Sequence, residues 1–368
     1  MARVLRRPEI IISPSVYNQL MQKKKNPAYV GFGMLTPVYV MALDALPKRN
    51  TGALVNQVSE YVYDDAAIIA CNLSQWKIPS AMIGSAVGDD LLGHYVAGTL
   101  KAMKVQGEVR FTRKYKTPLE VNVSDKTGAR TYFWQRNAEI LSTLDSADLS
   151  MLRRAKLLYV DWYDGDYIIR AMNEARRMGA PVFLNVEHAH KNADIVEKYA
   201  SRATICQAVT DDAQIGRKSA MLNVAKKLLR AGIQTAIVTM ARQGCLVIQG
   251  DEMIRVYAPK IKAVDGSGAG ATFSSGFIYG YLRKWSLEET ARFAIAAASL
   301  KVTRLGLKMF PIKEIKRLAA TLRVERMTYR DNQFFELDTL LPQAAPLARK
   351  ILPPKKTERK KIKKSLVE

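Results

Sequence analysis

Residues 264–282, VDGSGAGATFSSGFIYGYL, concentrate the features in this chain that could do chemistry. Gly266, Gly268 and Gly270, with Ser267 and Ala269 between them, permit tight backbone curvature. Phe273, Phe277, Ile278, Tyr281 and Leu282 then recur at helical spacing. A glycine-rich turn entering a helix offers unpaired backbone N–H groups and the positive end of the helix dipole, which suits a phosphoryl group. The same pattern also serves as a plain strand-to-helix connection, so the turn alone leaves both readings open. Two other sets were weighed. Glu187-His188-Ala189-His190 could put two imidazoles on one side of an extended segment, but the chain has 3 histidines and shows no third ligand. They are read as exposed side chains after a strand, and no metal site is assigned. Asp161, Asp164 and Asp166 follow a strand end and are read first as a solvated acidic turn. The alternative brings them to the crevice at the C-terminal edge of a sheet.

Positioning the turn requires a scaffold, and the chain spells one out. Short apolar runs recur as AYVGFGML (28–35), SAMIGSAV (80–87), KLLYVDWY (156–163), APVFLNVE (180–187), ATICQAV (203–209), TAIVTMA (235–241) and the pair CLVIQGDEMIRVYA (245–258). Nearly continuous apolar runs suit strands buried on both faces of a parallel sheet. Between them, LLGHYVAGTLKAM (91–103), DYIIRAMNEARRMG (166–179) and SAMLNVAKKLLRAG (219–232) read as helices, the last two closing on a C′ glycine. Ser286-Leu287-Glu288-Glu289 reads as a capping box before an alanine-rich helix. The alternation predicts a doubly wound α/β fold, a mostly parallel sheet flanked by helices. Residues 56–63 and 108–134, the latter with a turn at Asp125-Lys126-Thr127-Gly128, alternate instead like exposed antiparallel strands. They are expected to form a small β-sheet lid.

Composition narrows the function classes. With 48% hydrophobic and 25% charged residues the chain is not disordered throughout. Cys71, Cys206 and Cys245 are too few and too scattered for a disulfide framework or a zinc ribbon. No run approaches the roughly 18 apolar residues that a membrane helix needs, so a membrane span is not expected. The location is read as cytoplasmic, with an organellar one as the alternative because the first residues are arginine-rich. The formal net charge is +23. Residues 1–25 carry six basic side chains against Glu9, and residues 353–368 carry seven against two acids. The expected organisation is a basic extension over 1–27, a domain over 28–325, and a C-terminal extension over 326–368 ending in a lysine-rich disordered tail. Such a field favours polyanions, RNA or DNA first, held through phosphate.

Over roughly residues 28–325 the chain resembles the PfkB (ribokinase-like) family of carbohydrate and nucleoside kinases. The resemblance rests on ordered matches: VGFG (30–33), ALDALP (42–47), GSAVGDDLLG (84–93), VTMARQG (238–244), DGSGAGA (265–271) for the family's D-x-x-G-A-G-D, and AIAAASLKVTRLG (294–306). It implies a ribokinase-like fold with a β lid, ATP and Mg²⁺ as cofactors, and transfer of a γ-phosphoryl group to a small hydroxylated substrate. It implies an anion hole at Gly268, Ala269 and Gly270 and nucleotide contacts at Thr239, Gly244, Asp265 and Ser299. Lys301, Arg304 and Gly306 could line an adenine or phosphate edge. A homodimer through the lid is a further implication.

The departures from the family fall on its chemistry. The catalytic aspartate position is Ala271, which cannot accept a proton. The sugar-binding aspartate aligns with Thr36, the Gly-Gly pair with Asp64-Asp65, and the following asparagine with Ile68 or Ile69. The N-x-x-E segment that organises Mg²⁺ lies near Gln207 to Thr210, and Ala241 replaces the first glycine of V-T-x-G-x-x-G. The leading expectation is a nucleotide-binding protein with phosphotransfer lost or weakened, a pseudokinase or scaffold. The alternatives are an active kinase using Asp64, Asp65 or Asp265 as base, and a nucleic-acid-associated platform.

Overall fold

The structure is a computed structural model, and it describes residues 26–126, 130–135, 138–210 and 219–330. The basic extension over 1–25 and the tail over 331–368 lie outside the described residues, as do residues 127–129 of the expected turn. The apolar runs form β1 (Tyr29–Gly33), β4 (Ser80–Gly84), β9 (Leu157–Asp161), β10 (Val182–Glu187), β11 (Ile205–Val209), β12 (Thr235–Thr239), β13 (Cys245–Gln249) and β14 (Glu252–Val256). With β15 (Val324–Thr328) they make a sheet of order β15-β14-β13-β12-β11-β10-β9-β1-β4. Pairing is parallel from β4 to β12 and antiparallel from β12 to β15. Position 325 lies inside β15, whose pairing with β14 runs through Thr328.

The strands are buried on both faces, and alternate residues serve two separate cores. Tyr29, Leu157, Tyr159, Phe183 and Ile237 pack with α1 (Asp65–Gln75), α2 (Leu91–Ala102), α6 (Ala269–Leu282), α7 (Leu287–Lys301) and α8 (Ile312–Thr321). Val30, Leu158, Val160, Leu184 and Val238 face the other way, toward α3 (Tyr167–Arg177), α4 (Ala193–Ala200) and α5 (Ala220–Arg230). Residues one apart point to opposite faces of a strand, so continuous apolar sequence is what a sheet covered on both sides demands. The expected C′ glycines, Gly179 and Gly232, have φ of 73° and 95°. The capping box at Ser286 and Glu289 is present and starts α7.

The smaller sheet has the order β3-β2-β7-β8, from β2 (Thr36–Ala42), β3 (Gln57–Tyr63), β7 (Leu119–Ser124) and β8 (Arg130–Gln135). It is separate from the large sheet, as the alternating pattern implies. Two details differ from the expectation. β2 lies outside the strand runs expected from the sequence; it holds Pro37 at a position where pairing with β7 has not yet begun, since that starts at Val38. β6 (Phe111–Thr112), inside 108–134, pairs with β5 (Val87–Gly88) instead of joining this sheet.

Candidate functional site

The glycine-rich turn sits at the start of α6, where Gly268 takes φ of 69° as the residue before the helix. A left-handed conformation there is inexpensive only for glycine. Asp265, just before the turn, is fully buried and is bonded on both oxygens. Oδ1 accepts from the Ser267 N–H at 2.9 Å and from the Ser124 hydroxyl at 3.0 Å. Oδ2 accepts from Lys301 Nζ at 2.8 Å and from the Gly306 N–H at 3.0 Å. Burial alone would raise the Asp265 carboxyl, but the Lys301 charge and these donors outweigh it and hold the carboxyl below its usual range. Lys301 and Asp265 are 1% and 0% exposed. Lys301 therefore braces the turn from within and does not line an open phosphate edge. Asp265 likewise has no lone pair left for use as a base.

The inner face of the small sheet lies over this turn. Arg130 Nη1 donates to the Gly266 carbonyl at 2.9 Å. Ser59 packs against Gly306, whose Cβ, if present, would fall 1.9 Å from Ser59 Oγ. The Tyr61 hydroxyl lies 4.0 Å from where a Cβ of Gly268 would be, and the Ile68 Cδ1 lies 3.4 Å from that point. Burial raises the Tyr61 phenol, so it stays protonated. None of Arg130, Tyr61 or Ser59 was legible as a site residue, because strand alternation shows which side chains share a face but not what that face covers.

Ala271 is 0% exposed, and its carbonyl accepts from the Ser275 hydroxyl at 2.7 Å. The position to which the resemblance assigns the catalytic aspartate is thus a packed methyl. Ala269 and Gly270 continue the first turn of α6, and space is open within 4 Å of where a Gly270 Cβ would be.

Among the acidic residues the structure overturns one reading. Asp161 and Asp164 are not a solvated turn: each is 1% exposed. They join Asp64 and Asp65 in a buried carboxylate group at the N-terminal end of α1. Asp64 caps that helix, accepting from the Asp65 N–H at 2.8 Å, and also accepts from the Tyr163 hydroxyl. Gly33 makes room for the group, since a Cβ there would lie 2.3 Å from Asp164 Oδ2 and 3.9 Å from Asp64 Oδ2. Asp161 Oδ1 accepts from the Tyr159 hydroxyl at 3.1 Å. Burial, then the charges of Asp65, Asp64 and Asp164, push the Asp161 carboxyl well above its usual range. Thr36 begins β2 opposite Tyr63 and is buried, its Oγ1 without a hydrogen-bond partner among the described residues. Asp166 alone fits the solvated reading, exposed and paired with Lys198.

The remaining residues lie at strand ends of the large sheet and on a helix that flanks it. Thr239 ends β12, and its carbonyl accepts from the Thr210 N–H at 2.9 Å. Gly244, with φ of 86°, passes so close to Val256 that a Cβ would fall 2.1 Å from that carbonyl. Ala241, at the family's glycine position, is held at φ of 36°. Ser299 is buried on α7. Gln207 Oε1 accepts from the Ser274 hydroxyl at 2.9 Å, tying β11 to α6. His190 is not exposed: it is buried, and its Nε2 lies 2.9 Å from the Val209 carbonyl.

Comparison with known proteins gives the arrangement a context. The sequence profile described as pfkB family carbohydrate kinase matches residues 40–313. An uncharacterized sugar kinase of Archaeoglobus fulgidus is 22% identical over 239 residues, 64% of this chain and 95% of the relative. A nucleoside kinase of Methanothermobacter thermautotrophicus is 24% identical over 276 residues, 73% and 87% of the two chains. Among solved structures, Arabidopsis thaliana ribokinase complexed with ribose and ATP superposes with a TM-score of 0.63 at 21% identity, covering 80% of this chain and 99% of that one. Burkholderia thailandensis nucleoside kinase in complex with inosine gives 0.66 at 16% identity, covering 80% and 97%. The fold is ribokinase-like.

Proposed function

Because the chain belongs to the pfkB family of carbohydrate kinases, we propose that it binds a nucleotide at the glycine-rich turn while carrying out little or no phosphotransfer, and works as a binding or scaffold protein. The observation that carries this reading is the packed methyl of Ala271 beside an Asp265 whose four lone-pair sites are filled. In phosphoryl transfer, backbone amides hold the phosphoryl charge and a carboxylate takes the hydroxyl proton. Here the Gly268 and Gly270 amides retain the first element, the Ala269 N–H being turned to the Gly266 carbonyl at 3.2 Å, and the second is lost. Loss of a positioned general base costs about 10² to 10⁴ in rate. The relative that was solved with ATP supports ATP as the nucleotide. Gln207 and Thr210 bring no carboxylate to the segment expected to organise Mg²⁺ and are bonded elsewhere, so these residues do not fit a Mg²⁺ site.

The buried carboxylates favour a second reading, an active kinase of a sugar or nucleoside-like substrate with Asp64 or Asp65 as base. Against it, the side chain that α1 presents to Gly268 is Ile68. Calorimetric titration with ATP and ADP, with and without Mg²⁺, followed by ATPase and sugar-panel assays, separates the two. Binding without sugar-dependent turnover is expected, and robust turnover of a common sugar overturns the proposal. The net charge of +23 supports an additional role on RNA, DNA or another polyanion, tested by salt titration of the full chain against one lacking residues 353–368. Exposed Val58 and Phe133 on the small sheet support its use as a lid and a homodimer contact. A cytoplasmic location, or an organellar one, accords with three free buried cysteines.

A further inference from the structure

In the parallel part of the large sheet every strand starts at one pole, as the pairings of Tyr29 with Ser80 and Leu157, of Leu158 with Val182, and of Ile205 with Phe183 and Thr235 show. The helices that feed these strands therefore end there. α6 starts at the glycine-rich turn and ends at the same pole, where its last turn lines a cleft with Lys156, Thr235 and Gln249. The helix dipole favours a cation near each such end, and parallel winding gathers these cations on one side of the molecule.

Three of the ends carry lysine where glycine is favoured. α1, α2 and α6 each close with a left-handed residue two past the helix: Lys77 at φ of 66°, Lys104 at 59° and Lys284 at 59°. In each case the next N–H returns to the last turn, from Ile78 to the Leu73 carbonyl, Val105 to Leu100 and Trp285 to Gly280. Glycine fills that position with less strain, as Gly179 and Gly232 do after α3 and α5. The three ends are contiguous. The Ser74 hydroxyl, in the last turn of α1, donates to the Lys104 carbonyl at 3.3 Å, and Trp76 packs on Tyr279 of α6 with ring centroids 5.7 Å apart. Lys77, Lys104 and Lys284 are exposed, as is Lys156 just before β9, and none of the four pairs with a carboxylate among the described residues.

The cleft at this pole has a volume of about 480 Å³. Phe277, Tyr281 and Trp285 supply its aromatic wall, Lys156 and Lys284 supply its charge, and no acid lines it. Tyr281 and Trp285 are half-buried, and Lys316 Nζ lies 4.8 Å from the Trp285 ring centroid. Fixed cations around an aromatic cleft suit a strand whose phosphates meet the lysines and whose unpaired bases offer a free ring face. A duplex or an acidic polypeptide brings the charge without the free ring.

We propose that the pole opposite the glycine-rich turn is a binding face for single-stranded nucleic acid, with Lys77, Lys104, Lys156 and Lys284 on its phosphates and one base against Tyr281 and Trp285. The proposal rests on the reading of the net charge as directed to polyanions, and it gives that role a place in the folded domain.

The test is a titration of the full chain with labelled oligouridylate, the same strand paired with oligoadenylate, and polyglutamate, over a salt series. Lys77→Gly, Lys104→Gly and Lys284→Gly together should weaken the single strand by at least about tenfold and flatten the slope of log affinity against log salt by roughly 2. Urea unfolding should show no loss of stability, since glycine relieves the left-handed strain. A control with the same loss of charge, Lys48→Gln, Lys260→Gln and Lys262→Gln, uses exposed lysines between β2 and β3 and between β14 and α6. It should change affinity by less than about threefold, because screening confines each charge to its surroundings. Tyr281→Leu should weaken the single strand by roughly fivefold or more and leave the duplex unchanged. If both triple variants weaken binding alike, or neither does, the inference is wrong and the polyanion reading stands on net charge. If polyglutamate binds as tightly as oligouridylate and Tyr281→Leu alters neither, the face is not a nucleic-acid site and the inference is again wrong. If no polymer binds at low salt, the inference and the polyanion reading both fall.

Discussion

Asp265 and Asp161 are about equally buried, yet their surroundings act on them in opposite directions. Asp265 meets a lysine, two backbone N–H groups and a hydroxyl, which together overcome the cost of burial. Asp161 meets one tyrosine hydroxyl and a set of carboxylates, which add to that cost. Sequence spacing treats the two alike, as aspartates that follow strands or precede turns. The turn is thus finished on both oxygens of Asp265, whereas the group around Asp161 is one whose charge the fold tolerates poorly.

The largest expected effect breaks the finished side. Lys301→Met should cost about 3–5 kcal/mol in urea unfolding, because it leaves Asp265 charged and buried without its cation. A loss below about 1 kcal/mol would mean that the backbone donors suffice alone.

Next, Asp161→Asn should stabilise the protein at pH 7 by roughly 1–3 kcal/mol, since an amide is neutral without taking up a proton, whereas the folded state must hold the native carboxyl protonated beside its acidic neighbours. The sign follows from the raised folded value. The protonated form of Asp161 is preferred in the native state, so its contribution is fully present below the unfolded carboxylate pKa of about 3.9 and is lost as pH rises from there through the raised value. Asp265, with its folded value lowered, contributes in the opposite sense: stability present above about pH 3.9 is lost as pH falls through the lowered value. Stability profiles of the unaltered chain and Asp161→Asn should therefore converge in acid and separate toward neutrality. Parallel profiles would remove Asp161 from the account.

A smaller change is expected from restoring the missing base. Ala271→Asp should alter phosphotransfer by less than about tenfold, against the 10² to 10⁴ a base alone can supply, because Thr36, Ile68 and the Asp64-Asp65 pair leave the acceptor side altered. A coupled ATPase assay across a sugar panel reads it, and a gain of a hundredfold would show that only the base was lost. The smallest effect belongs to a pair on the surface. Arg177→Ala breaks the bidentate contact with Glu174 and should leave the urea midpoint unchanged within error, in contrast to Lys301→Met.

Much of the scaffold was legible because burial on both faces writes continuous apolar runs, and because glycines and Ser286 mark helix ends locally. The turn at Gly266–Gly270 was legible for the same reason: its conformation is demanded by residues adjacent in the chain. Residue identity also puts an alanine at 271, where the resemblance places a base, and no fold can make a methyl accept a proton. The acidic group was not legible. Asp64 and Asp161 are far apart in sequence, and DWYDGD reads as a polar turn until Gly33 and the Tyr163 hydroxyl are seen beside it. Lys301 reads in the sequence as a candidate for an adenine or phosphate edge until the chain returns it to Asp265, and Arg130 is one residue of an exposed strand until the small sheet lays it on Gly266. The sequence by itself determined what depends on neighbours along the chain: secondary structure, the glycine-rich turn and the alanine at 271. Only the tertiary structure decided which charges meet, because desolvation and Coulomb energy depend on distance through space, and the chain reveals that distance only once it has folded.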